Sequence, residues 1–139
     1  LKSFTVATNL GIVETDKSQP AQIDGFIVRD DTVVGMFESK CRKATVEQMN
    51  RWGDEWLITY QKLLDGAELS KRLRIPFYGI VYLLDEPLGF FIQLTDSEGN
   101  FVPKIRTEET KTQATINGGT AVRLNAYVDI SNCSTFPIV

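Results

Sequence analysis

The chain has 139 residues, 42% hydrophobic and 24% charged, which suits one globular domain with a single core. A formal net charge of −3 excludes attraction of nucleic acid by the whole molecule's field, so any such contact needs a local basic patch. Histidine is absent, which removes Ser-His and Cys-His nucleophile pairs and His-based zinc sites; catalysis would have to use carboxylates, Lys, Tyr or a hard metal ion.

Three strands are expected first: 4–14 (FTVATNLGIVE), 21–29 (AQIDGFIVR) and 32–40 (TVVGMFESK). Only Asp30-Asp31 separates the second from the third, a tight hairpin signal. From Val46 the apolar residues fall at 49, 52, 56, 57, 60, 63 and 64, close to a helical period, with Thr45 and Gln48 as a capping box and Gly66 as the stop. Trp52 and Trp56 lie on that apolar stripe and are expected in the core. Residues 67–74 add a further helical turn or two. Strands follow at 75–85 and 88–95, joined at Glu86-Pro87, the first apolar enough for a central position covered on both faces. The tail from Lys111 reads as strands, with a hairpin turn at 116–120 and its clearest strand at 121–130.

This order predicts an α/β (α+β) fold in one domain: a mixed sheet with a helix on it over a core of 4–95, then a β-rich extension over 100–139. The two cysteines, Cys41 and Cys133, make no short disulfide framework, so a reducing, cytoplasmic setting is expected. No apolar run approaches the roughly 20 residues of a membrane span, and no signal peptide is visible. The chain opens on Leu1, which leaves room for upstream domains of a longer parent, or for a homo-oligomer.

Chemistry concentrates on the hairpin. Folded at 30–31, it sets Asp24 opposite 37 to 38, and directly opposed residues have Cβ atoms about 4.5–5.5 Å apart. Glu38 and Lys40 are two apart and share a face, with Phe26, Val28, Val34 and Met36 beside them under regular alternation. Two carboxylates that close must share a proton or bind a cation, and Mg²⁺ (or Mn²⁺) suits them. A lysine beside such an ion can orient a water or stabilise developing negative charge. The bland alternative is an exposed cross-strand ion pair. Arg42 and Lys43 lie at the mouth of this site, placed to meet a DNA backbone.

Asp24 in QIDGFIV, followed by Glu38-Ser39-Lys40 in MFESK and then a helix, resembles the PD-(D/E)xK nuclease superfamily, the restriction-endonuclease-like fold. Gln48 in VEQMNRW stands where RecB-like and phage exonuclease subgroups carry a glutamine that opens a Gln-x-x-x-Tyr signature; here Trp52 takes the Tyr position. The resemblance covers about residues 12–95 and implies a Mg²⁺-dependent deoxyribonuclease in DNA processing, repair, recombination or phage replication. It implies Asp24 and Glu38 as metal ligands, the Ser39 carbonyl as a third, Lys40 as the residue that positions the attacking water, and a site role for Gln48. Two departures stand out. The family's first helix, often with an acidic residue, is not legible, so either it lies upstream of Leu1 or Glu14 takes the acidic role. The tail after residue 100 has no counterpart. The alternative is an inactive nuclease-fold domain kept as a DNA- or protein-binding or structural module.

Overall fold

The structure, a computed structural model, describes residues 1–16, 22–111 and 122–138, with Lys111 as backbone only. The fold is α+β, built from α1 (Lys2–Thr8), β1 (Gly11–Glu14), β2 (Gly25–Arg29), β3 (Thr32–Arg42), α2 (Val46–Arg51), β4 (Glu55–Thr59), α3 (Tyr60–Leu73), β5 (Phe77–Leu83), β6 (Leu88–Gln93), β7 (Ile105–Lys111), β8 (Val122–Asp129) and β9 (Ser134–Pro137). A six-stranded mixed sheet has the order β1-β2-β3-β5-β6-β9, and a three-stranded sheet the order β4-β8-β7. Strands β1, β2 and β3 are antiparallel neighbours, whereas β3 and β5 are parallel, so the chain between them crosses over through α2, β4 and α3. The β2–β3 turn, the joint at 84–87 and strands β5, β6 and β8 fall where the sequence predicts them. The turn expected at 116–120 lies outside the described residues.

Two expectations are corrected. Residues 4–14 are not one strand: Asn9 adopts a left-handed backbone (φ 56°) and ends α1, and its N–H donates to the Thr5 carbonyl. Phe4 is fully buried in the helix, its ring 5.0 Å from Phe91 and 5.6 Å from Phe136, so tertiary packing overrides the β-branched composition. The helix expected from Val46 to Gly66 is three elements. Its start holds: the Thr45 hydroxyl accepts from Gln48 N and the Gln48 side chain accepts from Thr45 N. It then breaks at Gly53 (φ 86°) and Asp54 (φ 54°), which only turns tolerate readily. Trp56 and Ile58 alternate inward on β4, whereas Trp52 is 59% exposed and does not join the core. Gly66 does not stop a helix; it sits inside α3, where a Cβ would collide with the Phe77 ring.

The tail is part of the core rather than an appendage. Ala126, Val128 and Ile130 pack with Trp56, Ile58, Leu63, Phe77 and Val81 between the large sheet and the layer formed by α3 and the small sheet. On the other side of the large sheet, Phe4, Ile27, Phe37, Ile80, Tyr82 and Phe136 make a second, aromatic cluster. No helix among the described residues is long and apolar enough to cross a membrane.

Candidate functional site

The register of β2 against β3 decides where the carboxylates fall. Both turn residues have positive φ (Asp30 47°, Asp31 61°), as a type I′ hairpin requires. Next to that turn Arg29 pairs with Thr32 and Val28 with Val33. Continued unbroken, this register would set Asp24 level with Phe37, on the face away from Glu38. A β-bulge between Ile27 and Val28 leaves Val34 as the extra residue, so Ile27 pairs with Gly35, Phe26 with Met36 and Gly25 with Phe37. The paired register ends there, and Asp24, one residue further on, keeps a single backbone hydrogen bond to β3, at the Phe37 carbonyl. Alternation is accordingly irregular: Phe26 and Met36 pack on the Glu38 side of the sheet, Val34 on the Phe37 side.

Beyond Gly25 the chain bends, and Asp24 is pinned by its neighbours. Its N–H donates to the Phe37 carbonyl over 3.0 Å, its carbonyl accepts from Thr15 N over 2.8 Å, and its Oδ2 accepts from Ser39 N over 2.8 Å. The carboxylate thus satisfies a β3 amide that β2 no longer reaches. In a strand a residue's N–H and C=O point to the same side, so the Ser39 carbonyl also faces the Asp24 edge.

Glu38 is 2% exposed on the central strand β3. Its partner on β5 is Gly79, where a Cβ would stand 2.5 Å from the Trp56 ring; the glycine lets that fully buried indole close over the sheet. Lys62, in the first turn of α3, donates from Nζ to Glu38 Oε1 over 2.6 Å. Burial raises the Glu38 pKa above its ordinary 4.5; the Lys62 hydrogen bond opposes the rise, Asp24's charge adds to it, and Lys62 and Lys40 lower it by their charges. Four charged groups therefore meet here, two carboxylates and two ammonium groups, with no formal net charge. Sequence reasoning placed Asp24, Glu38 and Lys40 together and missed Lys62, which reaches the site only because a strand interrupts the expected helix and α3 restarts at Tyr60.

Other expected residues lie elsewhere. Glu14 pairs with Gly25, itself opposite Phe37, so it falls on the other side of the sheet from Glu38, where it lines a pocket with Ser39 and Lys40. The Gln48 side-chain oxygen is occupied by the Thr45 amide in the capping box. Arg42 does not stand open at the mouth: its Nη2 donates to the Leu57 carbonyl on β4, and burial lowers its pKa. Lys43, just past β3, is exposed. Cys41 is exposed and Cys133 half-buried, both as free thiols.

Among the described residues no group of three or more His, Cys, Asp or Glu side chains could hold a metal ion. The donor set on offer is smaller: Asp24 Oδ1, Glu38 Oε2 and the Ser39 carbonyl stand outside the side-chain hydrogen bonds given above. That set fits Mg²⁺, which typically takes one or two carboxylates and keeps several waters. Comparisons with protein-family models, with curated proteins and with solved structures find no match to this chain.

Proposed function

We propose that this chain is a metal-dependent nuclease domain of the PD-(D/E)xK, restriction-endonuclease-like type, hydrolysing DNA phosphodiester bonds with Mg²⁺ or Mn²⁺. One observation carries the reading: Glu38, almost wholly buried at the centre of the sheet, is ion-paired with Lys62 and feels the charges of Asp24 and Lys40. A purely structural strand would gain more from an apolar residue at that depth, because a buried carboxylate costs several kcal/mol to desolvate, in order-of-magnitude terms. Element order is in keeping with it: a helix precedes three antiparallel strands, and the chain then crosses over through α2, β4 and α3 to a strand parallel to β3.

When bound, the metal would supply Lewis acidity and a more acidic water. Asp24 and Glu38 would hold it, with Asp24 already fixed in direction by Ser39 N. Lys40, two residues past Glu38, would orient the attacking water and counter charge on the phosphoryl oxygens. Lys43 would meet the DNA backbone.

The test is cleavage of single-stranded, duplex and branched DNA with Mg²⁺ or Mn²⁺ by the parent chain and by Lys40→Ala, Asp24→Asn and Glu38→Gln. Each variant is expected to lose roughly 10²–10⁴-fold in rate, the range of one positioned acid–base or charge-stabilising group. Undiminished cleavage by Lys40→Ala would sink the mechanism. The Lys62–Glu38 pair favours a second reading, an inactive module in which Lys62 permanently neutralises Glu38. That module would bind DNA or protein with the same affinity in EDTA and in Lys40→Ala.

A further inference from the structure

Lys62 holds Glu38 but has no step in the cleavage proposed above, and its placement has two unequal ends. The Glu38 side chain that it grips is 3% exposed, whereas its own side chain is 44% exposed. Its backbone is held firmly: the next residue, Leu63, is fully buried in the core, so the first turn of α3 cannot drift from the sheet. A flexible four-carbon stem on a fixed helix turn can swing its ammonium between the buried carboxylate and the solvent-facing mouth without moving the backbone.

We infer that Lys62 is a displaceable placeholder: it holds Glu38 in the metal-free protein, yields Glu38 to the divalent cation, and then binds the phosphate of the substrate. The inference rests on the nuclease reading and deepens it. Lys62 sits on an oxygen of the carboxylate that would ligate Mg²⁺, and like charges disfavour both cations at one carboxylate. Mg²⁺ must therefore outcompete the lysine. Charge balance then fits the substrate. The two carboxylates and two ammonium groups carry no net charge, and one divalent ion raises the cluster to a net of +2. The released ammonium can then follow a phosphate oxygen and act beside Lys40, whereas Arg42 is tied to the Leu57 carbonyl.

The experiment uses Mg²⁺ alone as the first probe, by calorimetry on the parent chain, Lys62→Met and Lys62→Arg, followed by DNA cleavage. Lys62→Met removes the competitor, and Mg²⁺ affinity is expected to rise about tenfold while cleavage falls about 10²-fold or more at saturating metal. Lys62→Arg grips the carboxylate with a fork, and Mg²⁺ affinity is expected to fall. Should either variant fail to fold, the Lys62 ammonium signal in the ¹⁵N-labelled parent still reports: Mg²⁺ must shift it and detach it from Glu38. Opposite directions in the two variants, or that detachment, support the inference. Unchanged or weakened Mg²⁺ binding in Lys62→Met, or an ammonium that stays on Glu38 in saturating Mg²⁺, overturns it while a DNA-cleaving parent keeps the nuclease reading. A parent chain that binds no Mg²⁺ and cuts no DNA overturns both.

Discussion

The two ends of the β2–β3 hairpin each carry a pair of carboxylates, and the pairs do opposite things. At the turn, Asp30 and Asp31 are exposed, with positive φ, and serve backbone geometry. At the far end, Asp24 caps a strand amide and Glu38 is buried and paired with Lys62. Identical functional groups on one hairpin thus differ in role through burial and partners alone. What separates the ends is the bulge at Val34, because the turn by itself dictates a register in which Phe26 would pair with Gly35 and Gly25 with Met36.

Deleting Val28, on the strand opposite the bulge, is therefore the most severe way to break the comparison. With the two-residue turn kept, β3 would have two residues in excess, and unbroken pairing would set Ile27, now 1% exposed, opposite Val33 on the other face of the sheet. The expected result is a loss of stability of about 2–3 kcal/mol, the scale of burying one large apolar side chain, together with loss of metal-dependent cleavage. Deleting Val34 instead removes only the extra residue and keeps every pair of the hairpin, so its effect should be smaller. Urea melts and the cleavage assay check both, and full activity in the Val28 deletion would show that the far end keeps its register without the turn.

Much of this hairpin was legible in the sequence because its chemistry is local: a two-residue acidic turn, alternation, and an Asp-to-Glu spacing that brought 24 near 38. The bulge was not, since nothing in TVVGM marks Val34 as the residue to be left out of register. Trp56 shows a second limit. Its spacing from Met49 and Trp52 suits a helix, yet it lies on β4, and only the Gly53-Asp54 turn hints at the break. The capping box at Thr45 was readable and explains Gln48 without chemistry, while the Glu38–Lys62 pair joins residues 24 apart through a crossover that no local pattern encodes. α1 escaped for a related reason: Phe4 is held helical by aromatic neighbours from β6 and β9.

The buried end should also answer to pH in a direction set by its burial. The Glu38 pKa is raised above 4.5 in the folded protein, chiefly by desolvation. Between the ordinary value and the raised one the folded chain holds more protons than the unfolded chain, so stability without metal falls as pH rises through that window. Glu38→Gln should remove this downward slope in urea melts run across that window. The turn at Asp96 offers the contrasting sign. Its carboxylate accepts from Asn100 N and Glu98 N, which lower its pKa, so its contribution is present above 3.8 and is lost as pH falls through the folded value. If Glu38→Gln keeps the parent's pH profile, Glu38 is not paying the cost of burial that sets it apart from the carboxylates at the turn.

The smallest effect belongs to the turn itself. Asp30 and Asp31 both occupy left-handed backbone, which costs most residues about 1–2 kcal/mol and Asp somewhat less. Asn-Gly is the pair that type I′ turns favour, because Asn tolerates the first position and Gly meets no Cβ penalty at the second. Replacing Asp30→Asn and Asp31→Gly together should raise stability by about 0.5–1 kcal/mol, discounted for glycine's greater freedom in the unfolded chain. Cleavage should be unchanged, because the turn would keep its two-residue length and the bulge would keep its register. A chemical melt and the DNA assay on the same preparation separate the outcomes. If stability drops instead, the aspartates hold the turn by contacts beyond backbone geometry; if cleavage drops while stability rises, the turn residues act on the far end of the hairpin, and the two ends are coupled rather than merely joined.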